Sequence, residues 1–227
     1  LITFPTLLAI GVPPVTANVS NTIGLVPGSI SGAVGYRREL RGQRDRLARL
    51  GGASLVGGVT GGILLLALPE AAFDTIVPVL ILLGCVLVLL QPRIARWVLA
   101  RAEARGGGAP EHGALWVWVM VLLSGVYGGY FGAAQGVLLM AVLGIGIRDS
   151  LQRLNGTKNV LAGLVNAIAA LLFIVVAEVD WLVVALIAVG SAVGGQLGAT
   201  VGRRLPPLAL RLVIVTVGLV AVVTFTV

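Results

Sequence analysis

LNGTKNVLAGLVN, residues 154–166, is a polar, glycine-interrupted stretch at the start of an otherwise apolar segment, and it holds the only lysine in the chain, Lys158. A related stretch, VSNTIGLVPGSIS, occupies residues 19–31. The two stretches align at a spacing of 135 positions, which places Thr22 on Thr157. Matching polar patches in two apolar halves are typical of membrane proteins that bind a ligand where two internal repeats meet. We therefore expect two repeats that share one site.

The composition is that of a membrane protein. Hydrophobic residues make up 58% of the chain and charged residues 11%, and the mean hydropathy is +1.05, whereas soluble domains carry about 25% charged residues. We predict an all-α polytopic membrane protein that is surrounded by the lipid bilayer. The net charge of +7 does not indicate nucleic-acid binding, because the basic residues lie in short loops between apolar segments. A homo-oligomer is compatible with this class of protein.

The apolar segments fall into two length classes. Those long enough to cross a bilayer are residues 17–36, 47–68, 71–90, 114–131, 160–177, 181–201 and 207–227. Residues 1–12 and 136–147 form segments of only 12 residues, and at about 1.5 Å per residue they cannot cross about 30 Å of hydrocarbon. We predict that each is a short broken or re-entrant helix. Because the chain begins inside an apolar run at Leu1, we expect a first segment to precede it.

A hydrophilic connection, residues 92–113, contains several arginines and the sequence GGGAPEHG. It predicts an N-terminal membrane repeat over residues 1–91, a basic cytoplasmic linker over 92–113 and a C-terminal membrane repeat over 114–227. Each repeat is expected to have about five segments.

Glycine spacing predicts close helix packing within residues 47–68. Gly57 and Gly61 form one small-residue face, and Gly58 and Gly62 form another. The surrounding ASLVGGVTG aligns with GSAVGGQLG in the second half at a spacing of 137 positions.

Corresponding loops of the two repeats carry opposite amounts of basic charge. Residues 37–49 contain six arginines, whereas the matching loop at 177–180 contains no basic residue. Conversely, residues 148–158 contain three basic residues, and the matching loop at 12–16 contains none. Because basic loops face the cytoplasm, the repeats are expected to have inverted orientations and the C-terminus to lie outside. The loops assigned to the cytoplasm are 37–49, 93–105, 148–158 and 203–204.

GGYFGAAQGVLLMAVLGIGIRDSLQRLNGTKNVLAGLVN, residues 128–166, followed by VDW and GSAVGGQLGATVGRRLP, resembles the TauE/SafE sulfite exporter family. TANVSNTIGLVPGSISGAVGYRR in the first half shows the same plan. The family often has a GxGGG turn before the short helix. This chain has GAAQG at residues 132–136, with Gln135 in place of a glycine.

The resemblance implies a secondary transporter in the cytoplasmic membrane that exports a small sulfur-containing anion, either sulfite or a related sulfur oxyanion or organosulfonate. Inverted repeats are the arrangement that supports alternating access to a central site. A passive anion channel of the same architecture is the alternative. An enzyme is not expected, because the acidic residues lie in loops or near segment ends and the chain has no HExxH or GxSxG motif. With one cysteine and one histidine, no metal site or cofactor is expected.

The expected site surrounds the start of segment 136–147. The first N–H groups of a helix are unpaired and carry a positive partial charge, and a glycine lets a ligand approach them. Amide and hydroxyl side chains can donate hydrogen bonds to an oxyanion, and a lysine can add a full charge. The predicted substrate-binding residues are Asn18, Asn21, Thr22, Ser31, Gln135, Gly136, Asn155, Thr157, Lys158, Asn159 and Asn166.

These residues also have structural interpretations. Lys158 can extend along apolar surface to the cytoplasmic face, beside the basic loop. Asn155 and Thr157 can cap a helix. Asn166 can be a packing contact, and the polar residues of the first half can form hydrogen bonds between helices.

Overall fold

The computed structural model describes residues 2–104, 114–200, 215–217 and 219–220. Within these residues the chain is helical and forms no strand. The helices are α1 (Thr3–Ala9), α2 (Pro14–Gly35), α3 (Arg44–Ala67), α4 (Glu70–Ala104), α5 (Leu115–Tyr130), α6 (Gln135–Gly146), α7 (Leu151–Val176) and α8 (Trp181–Thr200).

Three described helices are long and apolar enough to cross a membrane. They are α3, the part Ala71–Leu90 of α4, and α7. Three shorter apolar helices accompany them, namely α5, α6 and the part Trp181–Gly194 of α8. The all-helical, multi-pass prediction is therefore confirmed. The short segments are helices of 7 residues in α1 and 12 in α6, and their depth in the bilayer stays a prediction.

The NGTKN sequence lies inside a helix, which the sequence did not predict. α7 begins at Leu151, nine residues before the expected start, and its N-cap is Ser150, whose hydroxyl accepts a hydrogen bond from the Arg153 N–H. The interpretation of Asn155 and Thr157 as helix caps is therefore wrong. A serine already provides the cap, and the polar residues after it continue the helix.

The predicted linker begins as a helix. α4 continues past residue 90 to Ala104 and contains Pro92. The remainder of the linker, 105–113, and most of the last predicted segment, 207–227, lie outside the described residues. The division into two repeats and a linker stays a prediction.

Glycines let α3 pack between two other helices, as their spacing predicted. A methyl group added at Gly61 would lie 2.1 Å from the Val126 carbonyl oxygen of α5. One added at Gly58, on the other face, would lie 2.7 Å from the Ile168 side chain of α7. In a bilayer, where helices gain nothing from excluding water, this close backbone approach supplies much of the contact energy.

A second helix of the first half packs in the same way. α2 lies against α7 and α8, and its closest approaches are at Gly24, beside Ile187, and at Gly28, beside Ser191. The Ser191 hydroxyl donates to the Gly24 carbonyl at 2.9 Å. Each of these two helices of the first half therefore packs between helices of the second half.

Candidate functional site

A cavity of about 130 Å³ lies among α1, α2, α4, α7 and the turn from α5 into α6. Its lining comes from both halves of the chain, and it includes five of the residues predicted to bind substrate. Those five are Asn21, Thr22, Gln135, Gly136 and Asn166. The cavity is well above the ~10–15 Å³ needed to hold one water molecule.

The N-terminus of α6 opens onto this cavity. Ala134 precedes the helix with φ 61°, and Gly132 has φ 76°, so the chain turns sharply before Gln135. The Tyr127 hydroxyl donates to the Ala133 carbonyl and holds the turn. Among the described residues no side chain caps α6, although the Gln135 and Val137 N–H groups bond to the Gly132 and Ala134 carbonyls. The positive end of α6 therefore meets the cavity at Gly136.

Gln135 carries a hydrogen-bond donor that has no partner in the part of the chain that the structure describes. The residue is 4% exposed, and its Nε2 atom is buried without a partner. Its carboxamide occupies space left by Gly128, since a methyl group there would lie 2.3 Å from Gln135 Cδ. Buried amide nitrogens are nearly always hydrogen-bonded, so this one is a candidate donor to a ligand in the cavity it lines.

Two polar side chains on α2 face the same cavity. The Asn21 side-chain oxygen accepts from the Thr3 hydroxyl, which joins α2 to α1. The Thr22 hydroxyl donates to the Asn18 carbonyl at 2.9 Å, so its oxygen can still accept a hydrogen bond. Across the cavity, the Asn166 amide nitrogen lies 3.4 Å from the hydroxyl of Ser29. Amide and hydroxyl groups from two halves therefore meet in one space.

Other predicted residues make contacts between helices instead. The Asn18 amide donates to the Tyr130 carbonyl at 2.9 Å. The Ser31 hydroxyl lies 3.4 Å from the Ala192 carbonyl. Neither residue lines the cavity, and these contacts agree with the structural interpretation of the polar residues on α2.

The polar residues early in α7 also lie away from the cavity. The single proton of the Thr157 hydroxyl has two acceptors within reach, the Gln43 side-chain oxygen at 2.8 Å and the Arg153 carbonyl at 3.1 Å. The Asn159 amide nitrogen lies 3.6 Å from the place of a methyl group added at Gly32 of α2. Asn155 is half-buried and does not line the cavity.

Lys158 lies beside the site rather than in it. Its Cδ atom is 3.5 Å from the place of a methyl group added at Gly136, so the lysine stem packs against the first turn of α6. The residue is half-buried and is not among those lining the cavity. Lys158 therefore lies on the flank of the α6 N-terminus, outside the cavity lining.

The sequence did not predict a buried polar network that joins the two halves at the basic face. Arg46 of α3 donates to Asp149 at 2.6 Å and to the Gln43 oxygen at 2.7 Å. Arg153 also pairs with Asp149 at 2.9 Å. Burial alone would raise the pKa of Asp149, but hydrogen bonds from Arg46, Arg153 and the Ser150 N–H outweigh it and hold the pKa below its ordinary value. A signal was present, because Asp149 is an acid inside an otherwise basic loop.

Within the described residues, no group of three or more His, Cys, Asp or Glu side chains is placed to hold a metal ion. The side chains named around the cavity are amides, hydroxyls and hydrocarbons. This chemistry suits reversible binding of an anion by hydrogen bonds.

Comparison with known proteins gives one family. The family model described as "Sulfite exporter TauE/SafE" matches residues 1–225. The proteins named "Probable membrane transporter protein YfcA" from Escherichia coli strain K12 and from Escherichia coli O157:H7 are each 26% identical over 207 residues, which cover 88% of this chain and 71% of theirs. No solved structure matches the chain. The chain belongs to the TauE/SafE sulfite exporter family of membrane transporters.

Proposed function

We propose that the protein is a secondary transporter that exports sulfite, or a related sulfur oxyanion or organosulfonate, across the cytoplasmic membrane by alternating access. The observation that carries this proposal is the cavity, where the uncapped N-terminus of α6 at Gln135 and Gly136 meets Asn21 and Thr22 of the other half. A helix N-terminus attracts anions, and neutral donors release them without breaking an ion pair.

Helix packing supports a two-fold relation between the two repeats, and the basic loops support their inversion. In the sequence alignment of the two halves, α2 corresponds to α7 and α3 corresponds to α8. α2 packs extensively on α8, and α7 packs extensively on α3. Replacing each helix by its counterpart therefore turns the first pair into the second. α1 packs on α2, and its counterpart α6 packs on α7. A two-fold relation between the halves requires this correspondence.

The distribution of basic loops supports an orientation with 37–49, 93–105, 148–158 and 203–204 in the cytoplasm and the C-terminus outside. On that orientation, the network around Arg46 and Asp149 lies on the cytoplasmic side. α6 is about 18 Å long at 1.5 Å per residue. The cavity at its N-terminus is then separated from the cytoplasm by the length of this helix.

The test is sulfite flux in proteoliposomes that contain the purified protein. Gln135→Met keeps the size of the side chain and removes its donor, so we expect the flux at low sulfite to fall about tenfold. Arg93→Ala, at an exposed position in α4, is the matched control and should leave flux unchanged. Absence of flux through the wild-type protein for every sulfur anion tried would refute the proposal. Steady electrogenic flux without any counter-transported ion would favour the passive channel.

A further inference from the structure

The walls of the cavity are of two chemical kinds. The polar part consists of Asn21, Thr22, Gln135 and Asn166 together with the backbone at Gly136. The rest is apolar, and it includes two aromatic rings. The apolar side chains that line it are those of Phe4, Pro5, Leu25, Ile81, Phe131, Ala133 and Ala162. Among the described residues that line the cavity, none has a charged side chain.

The positive charge available to a ligand is small. The N-terminus of α6 is equivalent to about half an elementary charge, and Lys158 lies on the flank of that helix without lining the cavity. The energy lost when an ion leaves water grows with the square of its charge. A doubly charged anion such as sulfate therefore loses far more hydration than these neutral donors replace, whereas a singly charged anion is matched to them.

The aromatic rings of Phe4 and Phe131 form one wall of the cavity. Phe4 of α1 and Phe131, which follows α5, have ring centroids 5.2 Å apart at an interplanar angle of 88°. Phe4 also meets Phe73 of α4 edge to face, at 6.4 Å. Phe4, Phe131 and Ile81 belong to one buried apolar cluster, so other buried apolar side chains pack against the two rings. Neither sulfite nor sulfate has an apolar group that can contact this wall.

We propose that Phe4 and Phe131 are specificity-determining residues, and that they make the cavity selective for a singly charged organosulfonate with a short hydrocarbon group over the inorganic dianions. The sulfonate contacts the α6 N-terminus and Gln135, and the hydrocarbon contacts the two rings. This inference rests on the proposed function and narrows its substrate class. The small volume of the cavity limits the hydrocarbon, so affinity rises over the first carbons and then falls.

The test measures binding to the purified protein of sulfate, methanesulfonate, ethanesulfonate, propanesulfonate and hexanesulfonate, and of sulfite at a pH at which it is fully deprotonated. Burial of one methylene is worth about a fourfold gain in affinity, so ethanesulfonate should bind about fourfold more tightly than methanesulfonate. Hexanesulfonate and sulfate should bind weakly.

Two variants test the contribution of the Phe131 ring to this selectivity. In Phe131→Ala, the gain from methanesulfonate to ethanesulfonate should fall from about fourfold to less than about twofold. Phe173→Leu is the matched control, since Phe173 is fully buried in the same apolar cluster without lining the cavity, and it should keep the wild-type gain. The ratio of two affinities does not depend on how much of each variant is folded.

Sulfate or sulfite binding as tightly as ethanesulfonate, or equal ratios in both variants, would overturn this inference and leave the proposed function standing. Binding of none of these anions would overturn both.

Discussion

Arg46, in the first turn of α3, and Asp149, just before α7, form an ion pair at 2.6 Å with side chains only 5% and 13% exposed. A positive charge in the first turn of a helix opposes the helix dipole, and its burial removes hydration. Asp149 compensates for both effects, and it lies before the N-terminus of α7, where an acid is favourable. The pair joins the first half of the chain to the loop that ends α6.

We predict that Asp149→Asn destabilises the protein much more than Arg153→Gln does. The first change takes a carboxylate from a buried guanidinium, which costs about 3–5 kcal/mol. The second removes a partner that is 34% exposed, and such pairs contribute at most about 1 kcal/mol. The measurement is the thermal unfolding midpoint of each variant in detergent. Equal losses in the two variants would contradict the importance given to Arg46.

The contribution of Asp149 to stability should disappear in acid. Because the pKa of Asp149 is lowered in the folded protein, its contribution is complete above the unfolded pKa of about 3.9 and is lost as the pH falls through the lower folded value. Other carboxylates titrate in the same range, so the quantity to follow is the difference in midpoint between wild type and Asp149→Asn. This difference should be constant from about pH 7 to 5 and shrink below about pH 4. A difference that grows on acidification would show that another group is responsible.

Gly61→Ala should destabilise the protein, whereas Gly52→Ala in the same helix should not. At Gly61 the new methyl group would lie 2.1 Å from the Val126 carbonyl oxygen, so α3 and α5 must separate. Overpacking of this kind costs about 1–3 kcal/mol or more. At Gly52 nothing lies within 4 Å, and alanine is the better helix former by about 1 kcal/mol. Thermal midpoints in detergent test the pair, and similar losses in both would mean that α3 is not held by close contact at Gly61.

The sequence predicted the helices well because lipid imposes a simple rule on length and hydropathy. It also predicted the packing faces of α3, since glycine spacing fixes which residues share a helix face. It placed Gln135, Gly136, Asn21, Thr22 and Asn166 around one cavity because repeat matching and a short apolar segment both indicated that region.

What the sequence missed depends on pairing between distant residues. The start of α7 was misplaced because its first residues are polar and resemble a loop. In the structure these residues contact the first half of the chain, where Thr157 bonds to Gln43 and Asn159 lies beside Gly32. The position of Phe4 and Phe131 at the cavity was equally hidden, because aromatic residues in apolar segments give no sign of which ones line a cavity. Both cases need contacts that sequence position alone does not supply.

Lys158→Met is the remaining prediction, and it separates a charge effect from a packing effect. The Lys158 stem packs against Gly136 at the start of α6, and methionine preserves much of that stem without the charge. If the ammonium stabilises a bound anion from the flank of the helix, its loss should weaken anion binding on the order of tenfold. Lys158→Arg keeps the charge and should retain most of the affinity. Binding of methanesulfonate to the two purified variants tests this, with the thermal midpoint as a check on folding. Equal affinity in both variants would show that Lys158 serves only to pack α7 against α6.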